Sequence, residues 1–256
     1  IGSHSLSLGA RYHQDEVDRL QPTEKYDQIN GDLVYRGTTV PSSSNNRVQE
    51  ADALALWVTD AWMISDALRL DLALRHERTD TSEVRYADLN RANVAAQRDN
   101  DVSIWLPGVA ALYQIGDHWS LLAGIHRGFS PLGGSAKSTE KPETSVNYEM
   151  GVRYDGAWFA EVVGFYSDFS NKAESCSNSQ PCSNGAVGGT FVTGEAVIAG
   201  VEVQLGHIFQ TGDIAWPISL AYTYSHAEAS RDNAQSGVLD GDELASVPGN
   251  TMSLRM

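Results

Sequence analysis

Three side chains that can bind anions, Arg75, His126 and Arg153, lie in segments where polar and apolar residues alternate. Each falls on the polar side of that alternation, so the three would line one surface. Guanidinium and imidazolium groups bind carboxylates through charge-assisted hydrogen bonds. The three are therefore candidate ligand-binding residues. The alternative is that each is an ordinary polar residue paired with a neighbouring carboxylate, such as Glu77 or Glu149.

The two cysteines, Cys176 and Cys182, lie close together in a polar stretch with no strand pattern. Two thiolates are too few for a structural zinc site. The sequence favours a disulfide that closes a small loop, which indicates an oxidising compartment. Two unpaired surface thiols are the alternative.

No arrangement of catalytic residues is recognisable in the sequence. There are seven histidines and many serines, but no Gly-x-Ser-x-Gly turn and no histidine pair at metal-ligand spacing. We therefore predict that the protein is not an enzyme, holds no metal site and needs no cofactor.

Composition narrows the class of protein. Of the 256 residues, 41% are hydrophobic and 20% are charged, which is too polar for a helical membrane protein and too apolar for a disordered chain. No run of 18 apolar residues is present, so we expect no transmembrane helix. The formal net charge of −15 makes nucleic acid a poor partner.

Alternation with a period of two residues indicates β-strands along most of the chain. In residues 68–77 the two faces are clear: Leu68, Leu70, Leu72 and Leu74 on one, and Arg69, Asp71, Arg75 and Glu77 on the other. We predict ten strands, near residues 4–14, 51–64, 68–79, 103–115, 119–129, 144–154, 157–169, 194–209, 214–227 and 250–256.

Two of these strands are ambiguous. An amphipathic helix is the alternative over residues 51–68, because Trp57, Ala61, Ile64 and Leu68 also form a helical stripe. In residues 157–169, Glu161 shares a face with apolar residues, so the alternation does not select which face is apolar.

Short and long connections alternate along the chain. The short turns lie at 65–67, 116–118, 155–156 and 211–213, and the long polar connections at 15–50, 80–102, 130–143, 170–193 and 228–249. Long structureless loops are unusual in a compact soluble domain, whereas outer-membrane barrels have short periplasmic turns and long outer loops. The pattern predicts an all-β, antiparallel transmembrane β-barrel. A soluble β-rich domain is the alternative.

Aromatic residues lie near both ends of the predicted strands. Trp62, Trp119, Trp158 and Trp216 lie near the short turns, and Tyr12, Phe129, Tyr166, Phe169 and Tyr224 near the opposite ends. Tryptophan and tyrosine prefer the boundary between membrane and water. The two sets are predicted to form the inner and outer aromatic girdles of the barrel.

Several motifs follow one another in a recognisable order. His126–Pro131 contains Gly-Phe, and Lys141–Tyr154 contains Pro-Glu-x-Ser-x-x-Tyr-Glu-x-Gly. An aromatic strand that ends in Asp168-x-x-Asn171 comes next, then Gly194-Glu195 with Gly200-x-Glu202, and then Gly241 to Asn250. This series resembles the barrel of TonB-dependent outer-membrane receptors. The loop with the cysteines resembles that of the ferric dicitrate-type branch.

The resemblance implies a receptor for energised uptake of an iron chelate, either a ferric siderophore or ferric citrate. The chelate would be a transported ligand and not a cofactor, and its negative charge would suit Arg75, His126 and Arg153. The implied partners are TonB, reached through an N-terminal plug region, and outer-membrane lipid and lipopolysaccharide. Arg127 would meet a lipopolysaccharide phosphate.

The resemblance also implies that residues 1–256 are part of a larger barrel, located in the bacterial outer membrane. Plugged transporters of this class have about 22 strands. No plug domain and no signal peptide precede the first predicted strand, and the last ends at Met256 without the usual aromatic residue. We expect a partial barrel without the plug domain and the C-terminal strands. A passive porin or an adhesin barrel without a plug is the alternative function.

Overall fold

The computed structural model describes residues 2–133, 136, 140–176, 189–233, 237–245 and 247–256. These residues form twelve strands and one short 3-10 helix, Ser43–Asn45. The strands are β1 Ser3–Leu20, β2 Thr23–Ile29, β3 Asp32–Thr39, β4 Asn46–Met63, β5 Leu68–Tyr86, β6 Val94–Ile115, β7 Trp119–Ser130, β8 Glu143–Asp155, β9 Phe159–Cys176, β10 Gly189–Thr211, β11 Ile214–Ala229 and β12 Asn250–Arg255. Among the described residues, no helix is long and apolar enough to cross a membrane.

Ten of the strands form one antiparallel sheet, in the order β1-β4-β5-β6-β7-β8-β9-β10-β11-β12. Within this sheet each strand pairs with the next one along the chain. Strands β2 and β3 are not part of it and form a separate hairpin between β1 and β4. The predicted all-β, antiparallel architecture is confirmed, with ten strands in the main sheet. The sheet does not close: β1 and β12 are its two outer strands.

The strands extend further than predicted into the long connections. Residues 80–102 were expected to form a loop, but β5 and β6 stay paired as far as Tyr86 opposite Val94. In the same way, β1 and β4 pair up to Leu20 opposite Asn46. Beyond the apolar band both faces of a strand are polar, so the alternation that marks a strand disappears while the backbone ladder continues.

The prediction of a strand over residues 51–64 is confirmed, because residues 51–63 form part of β4, and the alternative of an amphipathic helix is excluded. The first long connection was expected to be structureless, but it contains the hairpin β2-β3. Asn30 and Gly31, at its tip, have positive φ angles of 54° and 95°, as a tight hairpin turn requires.

The register separates the side chains into two faces. The leucine face carries Leu70, Leu72 and Leu74 of β5, and the arginine face carries Arg69 and Arg75. Cross-strand partners share a face, so pairs such as Leu72–Val109 extend the leucine face across the sheet. In the ambiguous strand β9, Val162 lies on the leucine face opposite Val152, and Glu161 lies on the arginine face opposite Arg153.

The leucine face is apolar but is not covered by protein. Leu74 is 40% exposed and Met150 is 71% exposed, and both lie between the two aromatic ends of the sheet. One cluster of buried apolar residues, Ala196, Ala227 and Leu244, lies between the sheet and a long connection. The sheet must therefore find its apolar environment outside the chain, and a lipid bilayer meets that requirement.

The aromatic residues mark the two ends of the apolar band, with one correction. Trp62, Trp119, Trp216 and Tyr154 lie on the leucine face at the short-turn end, and Tyr12, Phe129, Tyr166 and Tyr224 lie on the same face towards the long connections. Phe169 does not belong to this outer row, because it pairs with Ala196 on the arginine face and packs against the buried cluster.

A pair of substitutions tests which face contacts lipid. Leu74→Arg should lower the free energy of unfolding by about 2–4 kcal/mol, the usual cost of a cation on the lipid face near the bilayer midplane. Ala73→Arg introduces the same side chain one residue away on the arginine face and should have a much smaller effect. The measurement is urea unfolding of the full-length protein in lipid vesicles; equal losses would show that the faces are assigned wrongly.

Candidate functional site

The three predicted binding residues lie on the arginine face, as expected, but the structure does not bring them together. His126 is on β7, opposite Gly108 of β6, and is two strands away from Arg75 on β5. Arg153 lies opposite Ser120, which is about 20 Å along β7 from His126 at roughly 3.3 Å per residue. They do not form one binding site, and their role in binding stays a prediction.

Two of these residues have carboxylate partners. Arg75 donates from Nε to Glu77 Oε1 at 2.5 Å, and its guanidinium also lies 5.3 Å from the ring centroid of Trp57. Arg153 donates to Glu161 Oε2 at 2.5 Å, and not to Glu149. The alternative of ordinary paired residues therefore describes the geometry of both arginines.

A denser group of cations lies on the arginine face at the end with the long connections. Arg19, Arg47 and Arg85 face one another directly across β1, β4 and β5. In the next row towards the membrane, Arg98 of β6 lies opposite Glu83. We call these four arginines and Glu83 the arginine cluster; it concentrates positive charge in a chain with a net charge of −15.

Glu83 is the anionic centre of the arginine cluster. It is completely buried and accepts hydrogen bonds from Arg85 Nε at 2.6 Å and from Gln49 Nε2 at 2.9 Å. Arg47 lies 3.5 Å from the same carboxylate. A buried carboxylate is tolerated only when it is paired in this way. The four guanidinium groups and one carboxylate give the arginine cluster a formal charge of +3, which attracts anions.

A cavity opens beside the arginine cluster. Its volume is about 690 Å³, and it is bounded by β5, β6 and the connection between β7 and β8. The charged residues that line it include more cations than anions: Arg85, Arg98, Lys141 and Lys172 against Glu140 and Glu143. Lys172 and Glu143 form an ion pair at 3.2 Å. The cavity is therefore large enough and cationic enough for an anionic small molecule.

Arg91 fixes the backbone that carries the cluster. From the connection between β5 and β6 it donates to both carboxylate oxygens of Asp18, to the carbonyl of Arg19 at 3.1 Å and to Asn46 Oδ1 at 3.0 Å. The buried Asn46 in turn donates to the carbonyl of Asp88 at 2.7 Å. These contacts hold the outer ends of β1 and β4 against the connection.

Hydrogen bonding lowers the pKa of two carboxyl groups, Asp18 and Asp88. Both lie beyond the outer aromatic row. The hydrogen bonds from Arg91 lower the pKa of Asp18, despite its desolvation. The backbone N–H of Ala92 is the main cause of the lowered pKa of Asp88. A carboxyl group with a lowered pKa stabilises the fold above its ordinary pKa, and that contribution is lost as the pH falls through the lowered value.

The other predicted features have mixed outcomes. The predicted disulfide between Cys176 and Cys182 falls outside the described residues and stays a prediction. Arg127 lies on the leucine face, as predicted, and its guanidinium approaches the carbonyl of Trp105 at 3.5 Å. Within the described part of the chain, no group of three or more His, Cys, Asp or Glu residues could hold a metal ion.

Comparison with known proteins gives the chain a family context. The family model described as TonB dependent receptor-like, beta-barrel, matches residues 1–256. The pesticin receptor of Yersinia enterocolitica is 26% identical over 180 residues, which cover 61% of this chain and 26% of that protein. This chain therefore matches about a quarter of the length of that curated relative.

Solved structures share the fold. The ferric-catecholate import receptor Fiu from E. coli has a TM-score of 0.69 at 15% identity, covering 98% of this chain and 38% of that chain. The ferric citrate transporter FecA has a TM-score of 0.65 at 19% identity, covering 99% of this chain and 36% of that chain. The ferric yersiniabactin uptake receptor FyuA from Yersinia pestis has a TM-score of 0.63 at 16% identity, covering 98% of this chain and 40% of that chain.

The buried carboxylate can be tested by matched substitutions. Glu83→Gln removes the charge that holds Arg47 and Arg85, and breaking a buried pair costs about 3–5 kcal/mol. Glu77→Gln is the control, because it breaks the more exposed Arg75 pair and should cost about 1 kcal/mol or less. Hydrogen exchange of the outer halves of β4 and β5 is the measurement. Similar opening in both variants would contradict a central role for Glu83.

The Asp18–Arg91 contact predicts a pH-dependent loosening. A spin label on Leu89→Cys should be rigid at neutral pH and should become mobile as the pH falls below about 4, the ordinary pKa of aspartate. Asp18→Asn should make the label mobile at all pH values. A label that stays rigid in Asp18→Asn would show that this ion pair does not hold the connection.

Proposed function

Because the chain belongs to the TonB-dependent receptor family, as part of its outer-membrane β-barrel, we propose that the complete protein is a receptor for an anionic iron chelate. The observation that carries this proposal is the arginine cluster beside a cavity of about 690 Å³. The family consists of receptors and not of enzymes. Binding and transport therefore need no covalent chemistry from this chain.

The charge of the site supports the class of ligand. Siderophore and citrate complexes of ferric iron carry carboxylate or catecholate oxygens, and the guanidinium groups of the cluster donate in the planar geometry that suits such oxygens. Two of the structural relatives are a ferric-catecholate import receptor and a ferric citrate transporter. For this chain, a ferric siderophore or ferric citrate is the corresponding proposal, and the iron is cargo.

The position of the site supports uptake from outside the cell. The cluster lies at the end with the long connections, which in outer-membrane barrels is the outer side. We propose that the ligand first binds at the arginine cluster. A plug domain of the complete protein, acted on by TonB, would then drive release of the ligand inwards. Outer-membrane lipid contacts the leucine face, and Arg127 is proposed to meet a lipopolysaccharide phosphate beside it.

One side chain offers a direct test of the binding site. Arg98→Gln in the full-length protein should weaken binding of ferric citrate, measured by calorimetry, by about tenfold or more, because a charge-assisted hydrogen bond contributes about 1.5–3 kcal/mol. Arg69→Gln is the control: it makes the same change on the same face at the short-turn end, where Arg69 pairs with Asp71. Unchanged affinity in Arg98→Gln would remove the cluster from the ligand site.

Energised uptake needs its own measurement. Cells that produce the full-length protein should accumulate radioactive ferric citrate only when TonB is present. Accumulation that does not depend on TonB would favour a passive porin. No binding and no accumulation would favour an adhesin or a different ligand.

A further inference from the structure

Strand β6 has an unpaired edge inside the sheet. It pairs with β5 over almost its whole length, from Tyr113 to Val94. On its other side it pairs with β7 only from Ile115 to Gly108. Among the described residues, β7 therefore offers no ladder partner to the outer part of β6, Val94–Pro107. Unpaired strand edges are templates for the addition of another strand.

Pro107 explains where the two strands separate. Arg127 of β7 approaches the carbonyl of Trp105, so the backbone groups of Trp105 face β7. The regular register from Tyr113 to Ala96 places the backbone of Pro107 on the same side. Proline has no N–H to donate, so the β6–β7 ladder ends beside it at Gly108 opposite His126.

By the same alternation, the backbone N–H and C=O groups of Asp99, Asp101 and Ser103 face the gap. A cavity of about 640 Å³ occupies this gap, and Asp99 to Trp105 form one of its walls. The side chain of Asn100 reaches the carbonyl of Ala136 at 3.0 Å, but it does so from the arginine face.

The charges beside the edge select the kind of strand that fits. The side chains of Asp99 and Asp101 lie on the leucine face, and Asp80 is the cross-strand neighbour of Asp101. Three cations lie near them: Arg78, bonded to Asp80 at 3.2 Å, and Arg127 and Lys141, which line the same cavity together with Glu140. Val102 and Ile104 point to the opposite face. An added strand would therefore place basic side chains beside the aspartates and apolar side chains beside Val102 and Ile104.

We propose that the outer edge of β6 is a docking site for an extended, basic segment of a partner protein, which adds as a strand between β6 and β7. Main-chain hydrogen bonds would hold the segment, and alternate side chains would give specificity, as in other strand-addition complexes. The added strand would lie on the β7 side of β6, whereas Arg19, Arg47, Arg85 and Glu83 of the arginine cluster lie on β1, β4 and β5. Arg98 stands on β6 itself, and the two cavities share Leu132, Glu140, Lys141 and Asn171.

The probe is a peptide of about seven alternating lysines and valines, long enough to match Asp99–Trp105 at 3.3 Å per residue. It should bind the full-length protein in nanodiscs at least tenfold more tightly than a control peptide in which the backbone nitrogens of the lysines are methylated. In an antiparallel ladder the lysines lie directly opposite the aspartates, so the control keeps the charge but cannot donate to the edge. Equal binding of the two peptides, or no binding of either, would overturn the proposal.

Two variants separate the backbone edge from its charges. Ser103→Pro removes an edge N–H without touching the ladder to β5, and it should weaken peptide binding at least tenfold. Asp99→Asn combined with Asp101→Asn should weaken binding and remove most of its salt dependence. Ferric citrate binding should be unchanged in both variants, which keeps this test distinct from that of the proposed receptor function. Peptide binding that survives both variants contradicts strand addition.

Cysteine cross-linking gives a readout of the register. With Ser103→Cys, peptides that carry one cysteine should cross-link from alternate positions only, because a paired strand presents every second side chain to one face. Cross-linking from consecutive positions would show that the peptide lies on the surface without joining the sheet. This experiment also decides the question if Ser103→Pro fails to reach the membrane.

Discussion

The fold depends on the requirement that every backbone N–H and C=O inside a membrane has a partner within the protein. Among the described residues, nine successive antiparallel pairings supply these partners along most of the sheet, except at the outer edges of β1 and β12 and along the outer part of β6. Once the ladder is fixed, its period of two assigns each side chain to the leucine face or the arginine face. Lipid contact, the aromatic rows and the arginine cluster all follow from that assignment, because one-residue slips in register would exchange the two faces.

The positive charge of the arginine cluster contrasts with the net negative charge of the whole chain. Carboxylates outnumber basic groups, yet four arginines lie close together at the outer end, and two of them, Arg47 and Arg85, pair with the buried Glu83. Glu83 allows Arg47 and Arg85 to stand close together, because like charges side by side would otherwise repel. The Arg91 contacts with Asp18 and Asn46 then hold the strands that carry them. The positive region is therefore a product of folding, and no single segment of sequence shows it.

The sequence was most informative where a bilayer would impose alternation. The ten strands, the short turns and the apolar face were predictable from Leu68–Leu74 and segments like it. The outer extensions of β4, β5 and β6 were not, since polar residues on both faces leave no period. Arg47, Arg85 and Arg98 lay in predicted loops for this reason. The Asn30-Gly31 dipeptide was a usable hairpin signal for β2 and β3 that the prediction missed.

The outward continuation of β4, β5 and β6 also bears on the entropy of ligand capture. Arg47, Arg85 and Arg98 stand on paired strands, so their backbone freedom was lost when the sheet folded. A chelate that meets them orders side chains but few main-chain torsions, which lowers the entropic cost of association. In the proposed receptor function, the arginine cluster would therefore act as a rigid template and not as a loop that orders around its ligand.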